Sequence, residues 1–486
     1  MPRPAFNAAV IALALAGCDA RRADSGPVVV SAIGGALRLA NPNAGGMDMP
    51  ARLLLDATAQ GLVRFDANGE VEPGLAERWI VIDDGRSYIF RLRDAEWSDG
   101  RPVTAGDVVA ALSRVKAAGS RNPIAPFVEV IDEVVEMTPQ VIEVRLKRPR
   151  PDLLKLLAQP EMAIFSTRTR TGSGPMRIAA IDGGRVTLRP AFDPRRSPDQ
   201  EPDEPAAADT VQLHGERAAM AVARFILRQS DMVTGGTFDD WPIAAARPIA
   251  PANLRVDPAA GLFGLAVTGR TGFLADVQNR AAVAMAIDRA AITAAFRPDW
   301  TPVQALLPSQ LDSAQPPALP AWSAQPVADR RQFARQRVAA WARANRGPVA
   351  IAIALPTGPG GTRLWGHVAA ALVTIGLSPR RVRPGEPADL TLIDAVSPYD
   401  SGRWYLRTAC RLCGAEANLA LDAARDAPTL DARAQRIAEA DRIITAEVAF
   451  IPLAQPLRWS IVALRLDAWS GNPRAWHPLT RLRKAR

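Results

Sequence analysis

Gly61-Leu62-Val63-Arg64-Phe65-Asp66-Ala67-Asn68-Gly69-Glu70-Val71-Glu72-Pro73-Gly74-Leu75-Ala76-Glu77-Arg78-Trp79 holds two short apolar segments around Asn68-Gly69. Both residues of that dipeptide tolerate positive φ, so the pattern predicts a tight hairpin turn. Residues 79–82 then run into a second turn signal, Asp84-Gly85. Tyr88, Phe90 and Leu92 follow, alternating with Ile89, Arg91 and Arg93 at strand period. At Thr104 the period changes. Thr104 and Asp107 have capping-box spacing, with Asp in place of the usual Glu, and Val108, Leu112 and Val115 form one helix face. A hairpin, antiparallel strands and a capped helix are expected in this order.

Working outward, residues 28–33 read as an opening strand behind a polar linker, 19–27. At the N-terminus Arg3 supplies a basic charge before an apolar run, 5–16, too short to span a bilayer. Leu15-Ala16-Gly17-Cys18 resembles the bacterial lipobox, which implies cleavage before Cys18 and lipidation of its thiol. Two or three acyl chains, at about 0.8 kcal/mol per buried CH₂, make a stable anchor. The other reading is an ordinary secretory signal with an incidental Cys. Asp19 resembles the residue that retains some lipoproteins at the inner membrane. Beyond residue 16 no stretch reaches 18 apolar residues, so membrane association is expected through the lipid only.

Downstream, Ile142, Val144 and Leu146 alternate with charged residues before Pro149 and Pro151 break the chain. Residues 193–208 are rich in Pro, Asp and Glu and read as an exposed loop between strands around Val186-Leu188 and Val211-Leu213. From about 256 the pattern becomes α/β. Residues 277–296 are Ala-rich and helical, 349–355 alternate as a strand, and a helical run ends near Gly376. Another strand at 390–393 completes a β-α-β unit; Ile437, Ala440, Ile444 and Val448 mark a further helix before a Pro-containing strand, 450–454.

Composition narrows the function classes. The 486 residues are 48% hydrophobic with a formal net charge of +9. Only Lys116, Lys147, Lys155 and Lys484 are lysines, so 55 of the 59 basic residues are arginines. They are scattered among acids without a basic-aromatic strip or a DNA-binding motif, and nucleic acid is not an expected partner. No G-x-S-x-G, H-E-x-x-H or Cys-His pairing occurs, and His214, His367 and His477 are isolated, so no enzyme, cofactor or metal site is expected. Pro356-Thr357-Gly358-Pro359-Gly360-Gly361-Thr362-Arg363 has the glycines of a phosphate loop but no Lys-Ser/Thr pair, and two prolines remove donors. Cys410-Arg411-Leu412-Cys413 has three readings: a structural disulfide in an oxidising compartment, a redox pair, or half of a zinc site without its other half.

Taken in order, residues 61–79, Asp83-Asp84-Gly85, 88–93 and Trp97-Ser98-Asp99-Gly100-Arg101-Pro102-Val103-Thr104-Ala105-Gly106-Asp107-Val108 resemble the signature of the family 5 extracellular solute-binding proteins. These are the oligopeptide, dipeptide and nickel receptors of ABC importers. Gly172-Ser173-Gly174-Pro175 resembles the family's G-x-G-P turn, with Met176 where an aromatic is usual. Asp231-Met232-Val233, Ala284-Met285-Ala286-Ile287-Asp288-Arg289 and Ile451-Pro452-Leu453 resemble its later landmarks.

The resemblance implies an α/β, two-lobed periplasmic binding protein fold, class II-like, with a hinge cleft and an extra subdomain inserted in lobe one. The expected organisation is a signal, 1–18; lobe one from 28–50, 170–255 and 455–486; the subdomain, 51–169; and lobe two, 256–454. It implies a monomeric receptor, exported to the periplasm, that delivers oligopeptides to a permease with ATPase subunits, while the lipobox and Asp19 give the expected anchoring at the inner membrane. The same fold could carry an opine, a metal chelate or a glycan, or serve a non-transport sensor. Trp97, Asp99 and Asp107 read as structural. Some family receptors pair an acidic residue with the ligand's amino group, and Asp394 and Asp400 are the candidates. Tyr399, Arg403 and Trp404 share a recognition loop with Asp400, and Arg458 and Trp459 are further cleft candidates.

Overall fold

The computed structural model describes residues 26–191, 207–309 and 311–483. Cys18 and the expected signal lie outside them, as does most of the 193–208 loop. The chain enters through β1 (Val28–Ile33), whose six residues are all buried. It then builds the hairpin β2 (Val63–Phe65) and β3 (Val71–Pro73) and an antiparallel sheet of β4 (Ala76–Ile82), β5 (Ser87–Leu92), β6 (Ile131–Thr138) and β7 (Val141–Leu146), ordered β4-β5-β7-β6. Beside β1 return β8 (Met176–Asp182), β9 (Arg185–Pro190), β10 (Val211–Glu216), β11 (Met232–Thr237) and β12 (Leu254–Val256). The chain crosses to β13 (Gly261–Val267), β14 (Val349–Ala354), β15 (Leu377–Val382), β16 (Leu390–Val396) and β17 (Phe450–Ala454), and comes back as β18 (Arg458–Val462).

Two large sheets result, ordered β12-β18-β11-β1-β10-β9-β8 and β15-β14-β16-β13-β17. The core of each is parallel: β1 pairs with β10 and β11, and β14 with β15 and β16. A parallel strand covered on both faces reads as a near-continuous apolar run, as β1 does apart from Ser31. Only residues 257–260 and 455–457 carry the chain directly from one large sheet to the other. This is the two-lobed periplasmic binding protein fold.

Local chemistry explains most elements. The helix Ala105–Lys116 starts at a complete capping box: Thr104 accepts from the Asp107 amide, and Asp107 accepts from the Thr104 amide. Val108, Leu112 and Val115 are its buried face. The first hairpin differs from the expected tight turn. Gly69 takes positive φ but Asn68 does not. Instead the Asp66 carboxylate accepts from the amides of Asn68 and Glu70, so the loop is five residues closed by a side chain. The helical run at 277–296 is two helices, Val277–Ala286 and Arg289–Phe296, because Asp288 caps the second and interrupts the first.

The apolar core does not respect the lobe boundary. One cluster joins Val30 of β1 and Phe90 of the inserted sheet to Tyr399, Leu406 and Ile437 of the second lobe. Another joins Val233 and Trp459 to Phe263, Ile353 and Leu364. The lobes are closed on each other.

Candidate functional site: the seam between the lobes

Two regions of the seam hold polar chemistry. Near the crossovers, the segment after β11, Phe238-Asp239-Asp240-Trp241, leaves the first lobe and lands on the second. Phe238 is buried between Phe263 at 4.8 Å and Phe296 at 6.2 Å. Trp241 donates from its ring nitrogen to the Phe296 carbonyl at 2.8 Å and lies under Arg297. Asp239 meets the N-terminus of the helix Pro359–Val373, which has no side-chain cap of its own. Its carboxylate accepts from the Gly361 amide at 2.6 Å and its carbonyl from the Gly360 amide at 2.8 Å. A carboxylate at a helix N-terminus satisfies orphan amides and complements the dipole. The glycine run rejected as a phosphate loop is therefore an anion cradle, and the anion is Asp239. At Gly360 and Gly361 a Cβ would collide with the backbone of Phe238 and Pro356. Sequence reasoning passed over Asp239; the unexplained glycines at 358–361 were the available signal.

The candidate residues fall into place around this contact. Asp394 on β16 accepts from Arg458 on β18 at 2.8 Å, so the pair ties the two sheets together beside the crossovers. Burial pushes the Asp394 carboxyl up, against the pull of Arg458. Trp459 is fully buried; its ring fills the space left by Gly236 and donates to the Thr237 carbonyl at 2.9 Å. Its role here is framework.

Asp400, Tyr399, Arg403 and Trp404 occupy the second region, where the inserted subdomain meets the second lobe. The expected recognition loop is short, because residues Gly402–Ala409 form a helix whose Trp404 and Tyr405 pack edge to face at 5.0 Å. Asp400 is held by Lys155 at 2.8 Å and by Arg474. Burial raises its pKa, and those hydrogen bonds more than reverse this, leaving it below the usual carboxylate range. Arg474 also donates to Ser397, and Gln159 to the Pro398 carbonyl. Tyr399 is buried edge-on to Phe127 and beneath Arg150, and burial pushes its hydroxyl up to about 12. Arg403 is buried, and desolvation together with Arg150, Arg433 and Arg425 lowers it to about 10. Cys410 and Cys413 are joined in a disulfide at the end of that helix.

The C-terminal segment braces the hinge. Asp257, in one crossover, accepts from the Asn472 amide at 3.1 Å and faces the His477 ring nitrogen at 3.2 Å.

Over residues 70–335, more than half its length, the chain matches the bacterial extracellular solute-binding proteins, family 5 Middle. The chain belongs to this family. Among curated relatives it is 34% identical over 130 residues to the probable deoxycholate-binding periplasmic protein YgiS of Escherichia coli, covering 23% of this chain and 24% of that protein. It is 24% identical over 310 residues to the periplasmic oligopeptide-binding protein OppA of Haemophilus influenzae, covering 57% and 56%. These sequence matches span 24% and 56% of the two relatives' lengths. The fold likeness extends further. The Haemophilus OppA complex with the peptide RPPGFSPFR superposes with a TM-score of 0.78 at 17% identity, covering 94% of this chain and 98% of that one.

Family 5 proteins are solute receptors of importers rather than enzymes, and their named relatives here are periplasmic. No helix among the described residues is long and apolar enough to cross a membrane.

Proposed function

We propose that this family 5 protein is the solute receptor of an ABC importer, capturing a peptide-sized solute between its lobes and presenting it to a permease. It is anchored at the periplasmic face of the inner membrane through lipidated Cys18. The observation that carries the reading is the seam itself. Two lobes linked directly by two short crossovers meet through contacts such as Asp239 on an open helix N-terminus. A solute that contacts both lobes favours the closed form by its differential affinity for that form, which is what a delivery cycle needs.

A solute other than a simple peptide is favoured by one finding. Both carboxylates expected to hold an α-amino group are already matched, Asp394 by Arg458 and Asp400 by Lys155 and Arg474. Opines and metal chelates therefore belong beside peptides in the first screen. Melting the protein lacking residues 1–18 against these three libraries tests the reading. A ligand at a hundredfold excess over its Kd stabilises by about 2.7 kcal/mol, a visible rise in Tm. If ligand-free protein responds to no member of any library, importer function loses its support.

A further inference from the structure

Between the inserted subdomain and the second lobe lies a narrow niche, open at its mouth. Arg148 and Arg150 line one wall, and Arg403, Arg425 and Arg433 the other. Five guanidiniums in one recess need counter-charge. Four carboxylates supply it, each to another arginine than Arg403: Asp426 to Arg148 and Arg425, Asp422 to Arg425, Asp152 to Arg150, and Asp312 to Arg433.

Arg403 is left over. It is 7% exposed, its side chain makes no hydrogen bond or ion pair with any described residue, and its Nε is unsatisfied. Beside it the Arg150 Nη2, the Arg433 Nε and the Tyr399 hydroxyl are also buried without partners. Thr429, the N-cap of the 17-residue helix Leu430–Ala446, opens onto the same space. Burying an unpaired guanidinium among others is unfavourable, so stability alone does not account for it. Its planar, forked donors suit a carboxylate or oxyanion, and a helix N-terminus adds field of the same sign.

We propose that the niche is an anion site, taking one carboxylate or small oxyanion between Arg403 and Arg150 and so tying the subdomain to the second lobe. Because its two walls belong to different parts of the molecule, the anion binds the closed arrangement in preference to the open one. The anion has two sources, a carboxylate carried by the captured solute or a free oxyanion, and the site does not depend on the transport reading.

Melting curves of the purified protein test it. Sulfate, phosphate and succinate are titrated against chloride at matched ionic strength, and trialanine is compared with its C-terminal amide. The expected result is a saturable rise in Tm whose apparent Kd is weakened at least tenfold by Arg403→Gln and several-fold by Arg148→Gln at the rim. Without anion, Arg403→Gln should melt no lower than the parent. A response to the oxyanions identifies a free ion, and one confined to trialanine over its amide identifies a solute-borne carboxylate. An equal rise in parent and Arg403→Gln, as excluded salts produce, overturns the proposal. So does the absence of a saturable rise with any probe. Should Arg403→Gln fail to fold, an unchanged response in Arg148→Gln overturns it equally.

Discussion

Asp240 is half-buried next to the carboxylate of Asp239, and burial first, then that neighbour, pushes its pKa up to about 6. Thr237 hydrogen-bonds to it without cancelling the effect. A carboxyl whose folded pKa exceeds its unfolded value of about 3.9 binds protons more tightly when folded. Its contribution to stability is therefore full below about pH 4 and is lost as pH rises through 6. Asp240→Asn removes that penalty. It should raise stability by on the order of 1 kcal/mol at pH 7.5, after discounting for solvent at a half-buried site, and by nothing at pH 4. Urea melts at the two pH values measure the difference, and an equal gain at both would show that the charge is not responsible. The capping role of Asp239 is not legible in Phe238-Asp239-Asp240-Trp241, because Gly360 and Gly361 lie far along the chain. The acidic neighbour of Asp240 is visible there, but the burial that chiefly raises its pKa is a property of the fold.

The helix Pro359–Val373 shows what an element gains from its partner. Its N-cap, Gly358, contributes no side chain, so the capping falls to a residue of the other lobe. Gly360→Ala places a methyl against the Phe238 carbonyl and the Asp239 Cα, neither of which is a flexible end. The helix itself tolerates alanine well, so each lobe should stay folded while their docking is lost. Small-angle scattering should then report a larger radius of gyration than the parent, and affinity for any lobe-bridging solute should fall roughly tenfold or more. An unchanged radius would mean that the seam is held elsewhere. The helix Ala105–Lys116 is the opposite case. Thr104, Asp107 and the Val108-Leu112-Val115 face lie within one local stretch, and its start and buried side were readable there. At the first hairpin the dipeptide located the turn but not its form, because the Asp66 carboxylate made a longer loop preferable.

At the scale of the whole molecule, the Arg458–Asp394 pair links the two sheets with both side chains largely out of water. Arg458→Met leaves a carboxylate buried without its cation and should cost about 3 kcal/mol or more. Adding Asp394→Leu should recover most of that loss, because a well-packed apolar pair replaces a buried ion pair at little cost. Chemical denaturation of the two variants checks this, and a double variant no better than the single would mean that the pair does more than neutralise itself. Solute affinity should fall in both if the pair helps to set the closed geometry.

The alternating strands, the capped helix and the ordered turns of residues 61–108 determined the fold, because hydrophobic period and turn chemistry act over a few residues and leave their pattern in the chain. Family membership followed from the same local pattern. The seam was decided by tertiary structure. Asp394 and Asp400 read as free anchors until Arg458, Lys155 and Arg474 arrived from distant segments to neutralise them. Arg403 read as one polar residue among several until closure buried it among four other arginines. Charge and desolvation depend on every group within several ångströms, whatever its place in the sequence, and only the folded chain brings those groups together.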